Sequence, residues 1–240
     1  MMKKLTFANA LRRVLPIRSC GAVIVAAGNA SRMGGIDKVM APLREEPMIV
    51  HTVRAFQESP VIKQIVVVTR ADQVLDVTDL CRGMNKVVAV VEGGADRQAS
   101  VEAGLNVISS KIQLVAIHDG ARPLISQQVI DRTVRAAHTY GAAAPGIPVK
   151  DTIKQVRGGV VQETPDRSKL CAIQTPQVFD RDLLMAALDK ARKDNAAITD
   201  DCSAVERMGM SVKVVEGEEK NLKVTTPLDL KIAELLMEDM

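Results

Sequence analysis

Small and charged residues follow the first long apolar run of the chain, where "VIVAAGNASRMGGIDK" extends from Val23 to Lys38. Small residues let backbone N–H groups approach an anion closely, and Ser31, Arg32 and Lys38 add donors and positive charge. The loop matches neither the dinucleotide pattern G-x-G-x-x-G nor the P-loop pattern G-x-x-x-x-G-K-[ST]. We interpret it as a phosphate-binding loop of another kind, with a turn carrying solvated charges as the alternative.

Polar residues also follow two later apolar runs, in "GGADRQASV" and "HDGARP". A carboxylate such as Asp119 can bind a metal ion, and an arginine such as Arg122 suits a phosphate. The alternative is that Asp119 and Arg122 pair with each other. His118 could act as a general base, but a buried histidine with satisfied hydrogen bonds is the stronger expectation.

Alternating strands and helices must position these groups. Apolar runs predict strands over residues 21–28, 63–70, 87–94 and 113–120. Helical spacing predicts helices over residues 48–59, 97–108 and 126–140, the last with Ser126 as its N-cap. Uniformly apolar strands separated by helices indicate an open, doubly wound, mostly parallel α/β sheet covered on both faces, with ligands beyond the carboxyl ends of the strands.

The alternation stops at "IPVKDTIKQVRGGVVQETPDR", where two strand-like runs flank Arg157, Gly158 and Gly159. Its apolar content is low for a buried strand pair. We therefore predict that residues 148–170 form a protruding β-hairpin, the hairpin arm, that contacts a partner. Downstream we expect a helix from about Arg181, a capped helix in "TDDCSAVERMG", strands in "SVKVVEG" and "NLKVT", and a final helix in "TPLDLKIAELLMED".

The charge distribution argues against a nucleic-acid binder. Residues 1–20 carry five basic residues and no acidic one, so we treat them as a basic N-terminal extension and residues 21–240 as one domain. Without these five of the 32 basic residues, the chain carries 27 basic and 29 acidic residues. Three Phe, one Tyr and no Trp leave few rings on which bases could stack.

The same sequence argues against membrane integration and against a structural metal. No apolar run is long enough to span a bilayer, and the N-terminus lacks the apolar stretch of a secretory signal. The four cysteines are scattered, with no C-x-x-C pair. We expect reduced, buried thiols in a cytoplasmic protein.

The first loop, "AAGNASRMGGIDK", resembles the A-A-G-x-G-x-R-M…K signature of sugar-phosphate nucleotidyltransferases. Ala30 stands at the second glycine of that signature, and Asp37 stands where a proline often precedes the lysine. The resemblance implies a Rossmann-like nucleotidyltransferase fold in which this loop binds a nucleoside triphosphate.

Six further motifs follow in order: "GGADRQASV", "HDGARP", "VKDTIK", "QTPQVF", "ITDDCSAVE" and "NLKVTTPLDL". Together they resemble the 2-C-methyl-D-erythritol 4-phosphate cytidylyltransferase family of non-mevalonate isoprenoid synthesis. The resemblance implies transfer of CMP from CTP to the sugar-alcohol phosphate, with release of pyrophosphate. Ribitol-5-phosphate cytidylyltransferase, which shares most motifs, and a non-catalytic nucleotide-binding dimer are the alternatives.

The resemblance also implies roles for individual residues. Arg32, Lys38 and Lys223 would be catalytic cations on the triphosphate. The nucleotide would contact Ala26, Ala27, Gly28, Asn29, Ala30, Ser31, Gly93, Gly94, Arg97, Ser100, Asp119 and Gly120. The acceptor would contact Asp119, Arg122, Thr152, Arg167, Thr199 and Asp200.

Helix capping by Thr199 and Asp200, and exposure of the arm residues, are the corresponding structural alternatives. The resemblance places Thr152 and Arg167 on the partner subunit of a homodimer joined through the hairpin arm. We place Lys154 and Thr175 in or near that arm. Mg²⁺ or another divalent cation would be held mainly by the CTP phosphates, with Asp119 as a possible ligand and no dedicated protein site.

Overall fold

A sheet of eight strands forms the centre of the computed structural model, which describes residues 16–28 and 39–238. The strands of the chain are β1 (Cys20–Val25), β2 (Pro42–Leu43), β3 (Glu46–Pro47), β4 (Ile62–Thr69), β5 (Val87–Glu92), β6 (Leu114–Asp119), β7 (Ala142–Pro148), β8 (Gln155–Arg157), β9 (Val160–Glu163), β10 (Cys171–Ile173), β11 (Gln177–Asp180) and β12 (Lys213–Glu216). The helices are α1 (Met48–Glu58), α2 (Val74–Leu80), α3 (Arg97–Val107), α4 (Gln127–Tyr140), α5 (Arg181–Lys193), α6 (Asp201–Glu206) and α7 (Pro227–Glu238).

The strand order is β10-β7-β11-β6-β1-β4-β5, and β12 also pairs with β7. The β6, β1, β4 and β5 pairings are parallel, as is that of β12 with β7, whereas β10 and β11 pair antiparallel to their neighbours. The predicted open, mostly parallel α/β sheet is confirmed.

Helices cover both faces of the sheet. Successive residues of a strand point to opposite faces, so a strand that is apolar throughout needs cover on both sides. Along β1, Ala22 and Ile24 belong to the core shared with α1 and α4, whereas Val23 packs in a separate core with α3 and α5. The central strands β1, β4 and β6 are therefore largely apolar, since each one has buried residues on both faces.

Local signals set the helix ends. The Ser126 hydroxyl accepts a hydrogen bond from the Val129 N–H at the start of α4, as predicted. At the start of α7, Thr226 Oγ1 accepts from the Asp229 N–H and Asp229 Oδ2 accepts from the Thr226 N–H. This reciprocal pair confirms the predicted start of the last helix.

Two predictions about strands are wrong. The buried strand β7 lies in "AAAPGIP", where alanine, glycine and proline give no strand signal. Conversely, "NLKVT" is not a strand, because its backbone groups form hydrogen bonds outside the sheet. The Asn221 carbonyl accepts from Arg122, and the Val224 N–H donates to the Ala121 carbonyl.

The hairpin arm contains the predicted turn. Strands β8 and β9 pair antiparallel around Gly158 and Gly159, whose φ angles of 58° and 79° suit glycine. The first strand begins at Gln155, later than the run "DTIKQV" suggests. Val156, Val160 and Val161 are exposed, so the hairpin arm does not pack its apolar residues on its own body.

The first described residues are anchored at the amino end of β1. Arg18 NH1 lies 2.6 Å from Asp180 Oδ2, at the start of α5. Arg18 NH2 also donates to the carbonyls of Ala137 and His138 in the last turn of α4. One guanidinium thus binds the end of one helix and the start of another.

The cysteines are free, as expected, but they are not all buried. Cys20, Cys81 and Cys202 are buried, whereas Cys171 is exposed on β10. The prediction of buried thiols is therefore wrong for Cys171, because its short strand lies next to the hairpin arm rather than under a helix.

Candidate functional site

A cleft of about 240 Å³ opens at the carboxyl ends of β1 and β6 and beside the turn after β5, where ligands bind in open α/β sheets. Segments that are far apart in the sequence meet there. The predicted site residues that line it are Ala26, Ala27, Gly28, Gly94, Arg97, Ser100, Asp119 and Lys223. The structure thus brings the predicted nucleotide contacts and one predicted catalytic cation into one cavity.

Two predicted glycines lie behind the lining residues rather than among them. A Cβ at Gly93 would overlap Ala27 Cβ and lie 2.8 Å from Ser100 Oγ. A Cβ at Gly120 would lie 3.0 Å from Ala26 Cβ. Both positions need a small residue so that the turns after the strands can approach each other.

Ser100 holds the turn that follows β5. Its hydroxyl donates to the Asp96 carbonyl at 2.9 Å and accepts from the Gly94 N–H at 3.2 Å. The Asp96 carboxylate in turn accepts from the Ala99 N–H and caps α3. Ser100 therefore fixes the backbone of the cleft wall as well as lining it.

Three charged side chains meet at the end of β6. Lys223 Nζ lies 3.0 Å from Asp119 Oδ2, and Arg122 Nε lies 3.4 Å from the same oxygen. Asp119 and Arg122 are largely buried, whereas Lys223 is 43% exposed. The pairing of Asp119 with Arg122, weighed above as an alternative, is present in the structure.

The Asp119 carboxylate stays ionised despite its burial. Burial alone would raise its pKa, but Lys223, Arg122 and Arg97 outweigh that effect and lower the pKa to about 2. At neutral pH the Asp119 charge is therefore fixed among the positive charges of Lys223, Arg122 and Arg97, and Asp96 adds a second carboxylate to the cleft lining. This arrangement attracts an anion while keeping an oxygen ligand in place.

Arg97 is held at the cleft by a second carboxylate. Its NH2 group lies 2.7 Å from Oδ2 of Asp201, which is fully buried. Arg97 also borders a neighbouring cavity that is lined by Thr199. Asp200 caps α6 by accepting from the Ser203 N–H, so the capping alternative is confirmed for Asp200.

His118 is a satisfied, buried residue, as expected. The Arg122 carbonyl can only accept, so His118 Nε2 carries the proton of that 3.2 Å bond. His118 Nδ1 then accepts from Thr175 Oγ1 at 3.0 Å. Burial lowers the His118 pKa to about 4, so the ring is neutral at pH 7.

Thr175 lies at the cleft and not near the hairpin arm, so that prediction is wrong. Its hydroxyl accepts from the Asp119 N–H at 3.1 Å. The residue is buried beside His118, because the motif "QTPQVF" leads into β11, which pairs with β6. Proximity in sequence to the hairpin arm was the misleading signal.

The hairpin-arm residues do not reach the cleft of their own chain. Thr152, Lys154 and Arg167 are exposed, and none of them lines the cavity as far as the described residues define it. Arg167 NH1 donates to the Lys150 carbonyl, and Lys154 Nζ donates to Thr164 Oγ1. Asn29, Ala30, Ser31, Arg32 and Lys38 lie outside the described residues.

Comparison with known proteins decides between the families considered above. The family model described as IspD, 2-C-methyl-D-erythritol 4-phosphate cytidylyltransferase, matches residues 20–239. The chain belongs to this family.

Relatives of the same name agree with this assignment. The chain is similar to the enzyme of Symbiobacterium thermophilum, with 48% identity over 90% of this chain and 92% of the relative. It is similar to that of Caldanaerobacter subterraneus subsp. tengcongensis, with 44% identity over 90% of this chain and 97% of the relative. These names do not favour the ribitol phosphate alternative.

A solved structure extends the agreement to the fold. The 4-diphosphocytidyl-2C-methyl-D-erythritol synthase of Anaerococcus prevotii superposes with a TM-score of 0.84 at 28% identity. The alignment covers 93% of this chain and 100% of that one. The Rossmann-like nucleotidyltransferase fold that the sequence motifs imply is thereby confirmed.

Carboxylates at the cleft are the side chains to consider as ligands of a divalent cation. Within residues 16–28 and 39–238, no group of three or more His, Cys, Asp or Glu side chains could hold a metal. Asp96 and Asp119 are the carboxylates among the described lining residues, and Asp119 is the one held ionised by neighbouring cations. The two described ion pairs of Asp119 both use Oδ2, so Oδ1 is the oxygen that suits a hard cation.

Sequence reasoning missed four polar residues around the cytidylyltransferase cleft: Asp96, Gln174, Asp201 and Asn221. Each lies inside a motif quoted above, within two residues of a residue that the sequence analysis singled out. Asp201, Gln174 and Asn221 are buried, and burial of a polar residue depends on long-range packing. The signal that could have identified them is that each is a polar side chain inside one of these motifs to which no role had been assigned.

No helix among the described residues is long and apolar enough to cross a membrane.

Proposed function

We propose that the chain transfers CMP from CTP to 2-C-methyl-D-erythritol 4-phosphate, giving 4-diphosphocytidyl-2-C-methyl-D-erythritol and pyrophosphate. The observation that carries this proposal is the cleft in which Lys223 and Arg97 surround the ionised Asp119. A site for a triphosphate requires positive charge that is held in place before the substrate arrives.

The reaction needs positioned charge more than a protein nucleophile. An oxygen of the acceptor 4-phosphate attacks the α-phosphorus of CTP, and the bond to the β-phosphate oxygen breaks. The electron pair leaves with pyrophosphate. Lys223 neutralises charge on the equatorial α-phosphate oxygens, while Arg32 and Lys38 neutralise the leaving group.

No general base is required, because a phosphate monoester is already an anionic nucleophile near neutral pH. His118 is unsuited to that task. Both of its ring nitrogens are engaged in hydrogen bonds, and its side chain is fully buried. We assign it to the support of Asp119 and Arg122.

Cytosine is recognised at its edge by the backbone around Gly28 and Gly94 and by Ser100. With three Phe, one Tyr and no Trp in the chain, stacking between rings is a poor alternative. Fixed peptide groups discriminate between bases, because a mismatched edge leaves buried donors or acceptors unpaired.

Mg²⁺ is the proposed divalent cation, bound through the CTP phosphates and Oδ1 of Asp119. When bound, it supplies Lewis-acid neutralisation of phosphate charge. The chain itself contributes the ionised carboxylate, which Lys223, Arg122 and Arg97 keep deprotonated.

We also propose a homodimer in which the hairpin arm completes the acceptor site of the partner subunit. The exposed valines of this arm and the exposed side chains of Thr152 and Arg167 support the proposal. Arg122 and Thr199 would contribute from the body of the chain. The free cysteines and the use of CTP suit a cytoplasmic enzyme.

A pyrophosphate-release assay tests the reaction. With CTP and Mg²⁺, release is expected with 2-C-methyl-D-erythritol 4-phosphate and only weakly with ribitol 5-phosphate or without acceptor. Faster release with ribitol 5-phosphate would assign the other cytidylyltransferase activity. CTP binding without release under any of these conditions would indicate a nucleotide-binding protein.

A further inference from the structure

A closed ring of hydrogen bonds joins the end of β6 to the segment that carries Lys223. The Asp119 N–H donates to Thr175 Oγ1, and the Thr175 carbonyl accepts from Asn221 Nδ2 at 2.9 Å. The Asn221 carbonyl accepts from Arg122 NH1 at 2.7 Å. Arg122 Nε closes the ring on Asp119 Oδ2.

Gln174 locks the same segment from the other side. Its Oε1 atom accepts from Asn221 Nδ2 at 3.3 Å and from the Glu218 N–H at 3.2 Å. Its Nε2 atom donates to the Glu218 carbonyl at 2.8 Å. Gln174 and Asn221 are both buried, so breaking these bonds leaves polar groups unpaired away from water.

Lys223 lies between two anchored points of this segment. Asn221 is fixed on one side, and on the other the Val224 N–H donates to the Ala121 carbonyl at 2.8 Å. Lys223 is partly exposed, whereas Asn221 and Val224 are buried. Its ammonium reaches Asp119 because the backbone on both sides is held against the turn after β6.

We propose that Asn221 is a positioning residue that presents Lys223 to the α-phosphate. The amide group is suited to this task because one side chain donates to Thr175, while the carbonyl of the same residue receives Arg122. An alanine at this position would keep the backbone carbonyl but lose the link to Thr175. The inference rests on the catalytic role proposed for Lys223.

The test measures steady-state kinetics and unfolding of Asn221→Ala and of Asn221→Asp, which preserves size and removes the amide donor. We expect kcat to fall by about tenfold or more, because displacing a catalytic group by about 1 Å can cost up to about 10² in rate. The KM for CTP should change much less. Glu218→Gln is the matched control in the same segment, since it leaves the ring intact, and it should keep the wild-type kcat.

A double-mutant cycle separates positioning from general weakening of the fold. If Asn221 acts through Lys223, the double variant Asn221→Ala, Lys223→Ala should have about the same kcat as Lys223→Ala alone. Hydrogen exchange at the Val224 amide should accelerate in the Asn221 variants and not in Glu218→Gln.

Two results would overturn the inference. One is an unchanged kcat in Asn221→Asp while Lys223→Ala is slow. The other is a double variant whose loss equals the product of the single losses. A Lys223→Ala enzyme with full turnover would instead refute the role proposed for Lys223. If Asn221→Ala does not fold, the cycle is run with Asn221→Asp.

Discussion

The polar side chains of the cleft are bonded to one another, whereas those of the hairpin arm are exposed to solvent. Asp119, for example, contacts three residues of its own chain: Lys223, Arg122 and Thr175. In the hairpin arm, the described hydrogen bond of the Arg167 side chain goes to the backbone carbonyl of Lys150 near the base of the hairpin. Among the described residues, the cleft side chains therefore have partners within their own chain, whereas the side chains of the hairpin arm face solvent.

The apolar residues of the two regions differ in the same way. Val25 and Val39 line the cleft within the body of the chain. The valines of the hairpin arm are instead more than half exposed: Val156, Val160 and Val161. Exposed valines on a hairpin favour association with another surface. In the proposed homodimer, a second copy of the chain would supply such a surface at both sites, because a two-fold interface is reciprocal.

The largest expected effect is on turnover at the cleft. Lys223→Ala should lower kcat by about 10² or more, since it removes preorganised charge at the transition state. Lys220→Ala, in the same segment, is the control and should keep near-normal turnover. Steady-state kinetics with saturating CTP measures the kcat of both variants. A Lys223→Ala enzyme as fast as the control would contradict the assigned role.

The second prediction tests whether the hairpin arm serves the partner subunit. Lys38→Ala and Arg167→Ala homodimers should both be nearly inactive. Unfolding and refolding them together should give about half heterodimers, each with one intact site, so activity should recover to roughly one quarter of wild type by counting sites.

The control for this mixing experiment uses two lesions in the body of the chain. Lys38→Ala mixed with Lys223→Ala places one lesion in each site of every heterodimer, so no recovery is expected. If the Lys38→Ala and Arg167→Ala mixture also stays inactive, with heterodimer verified by mass, Arg167 does not act across the interface.

A smaller effect is expected where the cleft wall is tightest. Gly93→Ala should raise the KM for CTP about tenfold, because the added Cβ pushes Ala27 or Ser100 out of place. Gly83→Ala is the matched control, since its Cβ meets no atom within 4 Å while its φ of +86° is strained. Both variants should lose about 1 kcal/mol or more of stability, but only Gly93→Ala should affect CTP.

The last prediction concerns the pH dependence of folding and not catalysis. His118 has a folded pKa of about 4, below its unfolded value of about 6.5, so the unfolded chain binds the extra proton between these values. Stability should therefore fall by about 3 kcal/mol between pH 6.5 and pH 4. Below pH 4 the same group should cause no further loss.

Urea unfolding of His118→Gln measures this contribution. Its stability should depend less steeply on pH between 6.5 and 4, by up to one proton, than that of the wild type. Asp119 does not interfere, because its folded pKa of about 2 causes loss of stability only below about pH 4. Equal slopes would show that another group carries the pH dependence.

The parallel core was predictable because each of its strands has both faces buried and therefore consists of apolar residues. Strands β1, β4 and β6 follow this rule, whereas β5 is apolar but only partly buried at the edge of the sheet. The strand β7 was missed, since Ala142–Pro148 is buried through its position between neighbouring strands and not through its own propensity. Strands of this kind are defined by their partners.

The site was predictable to the extent that each motif follows a strand. Asp119 and Lys223 meet as their motifs suggest. Thr175 and Asn221 were not placed correctly from sequence, because their contacts depend on how β11 and the last loop fold back on β6. Strand order is a long-range property that no local pattern records.

The anchoring of the chain by Arg18 has a practical consequence for protein engineering. Because Arg18 fixes the chain at the amino end of β1, the described chain begins near the end of that strand opposite the one that lines the nucleotide cleft. An enzyme shortened to begin at Pro16 would therefore carry an added affinity tag at that end of β1. Such a form is expected to leave the entry of CTP open.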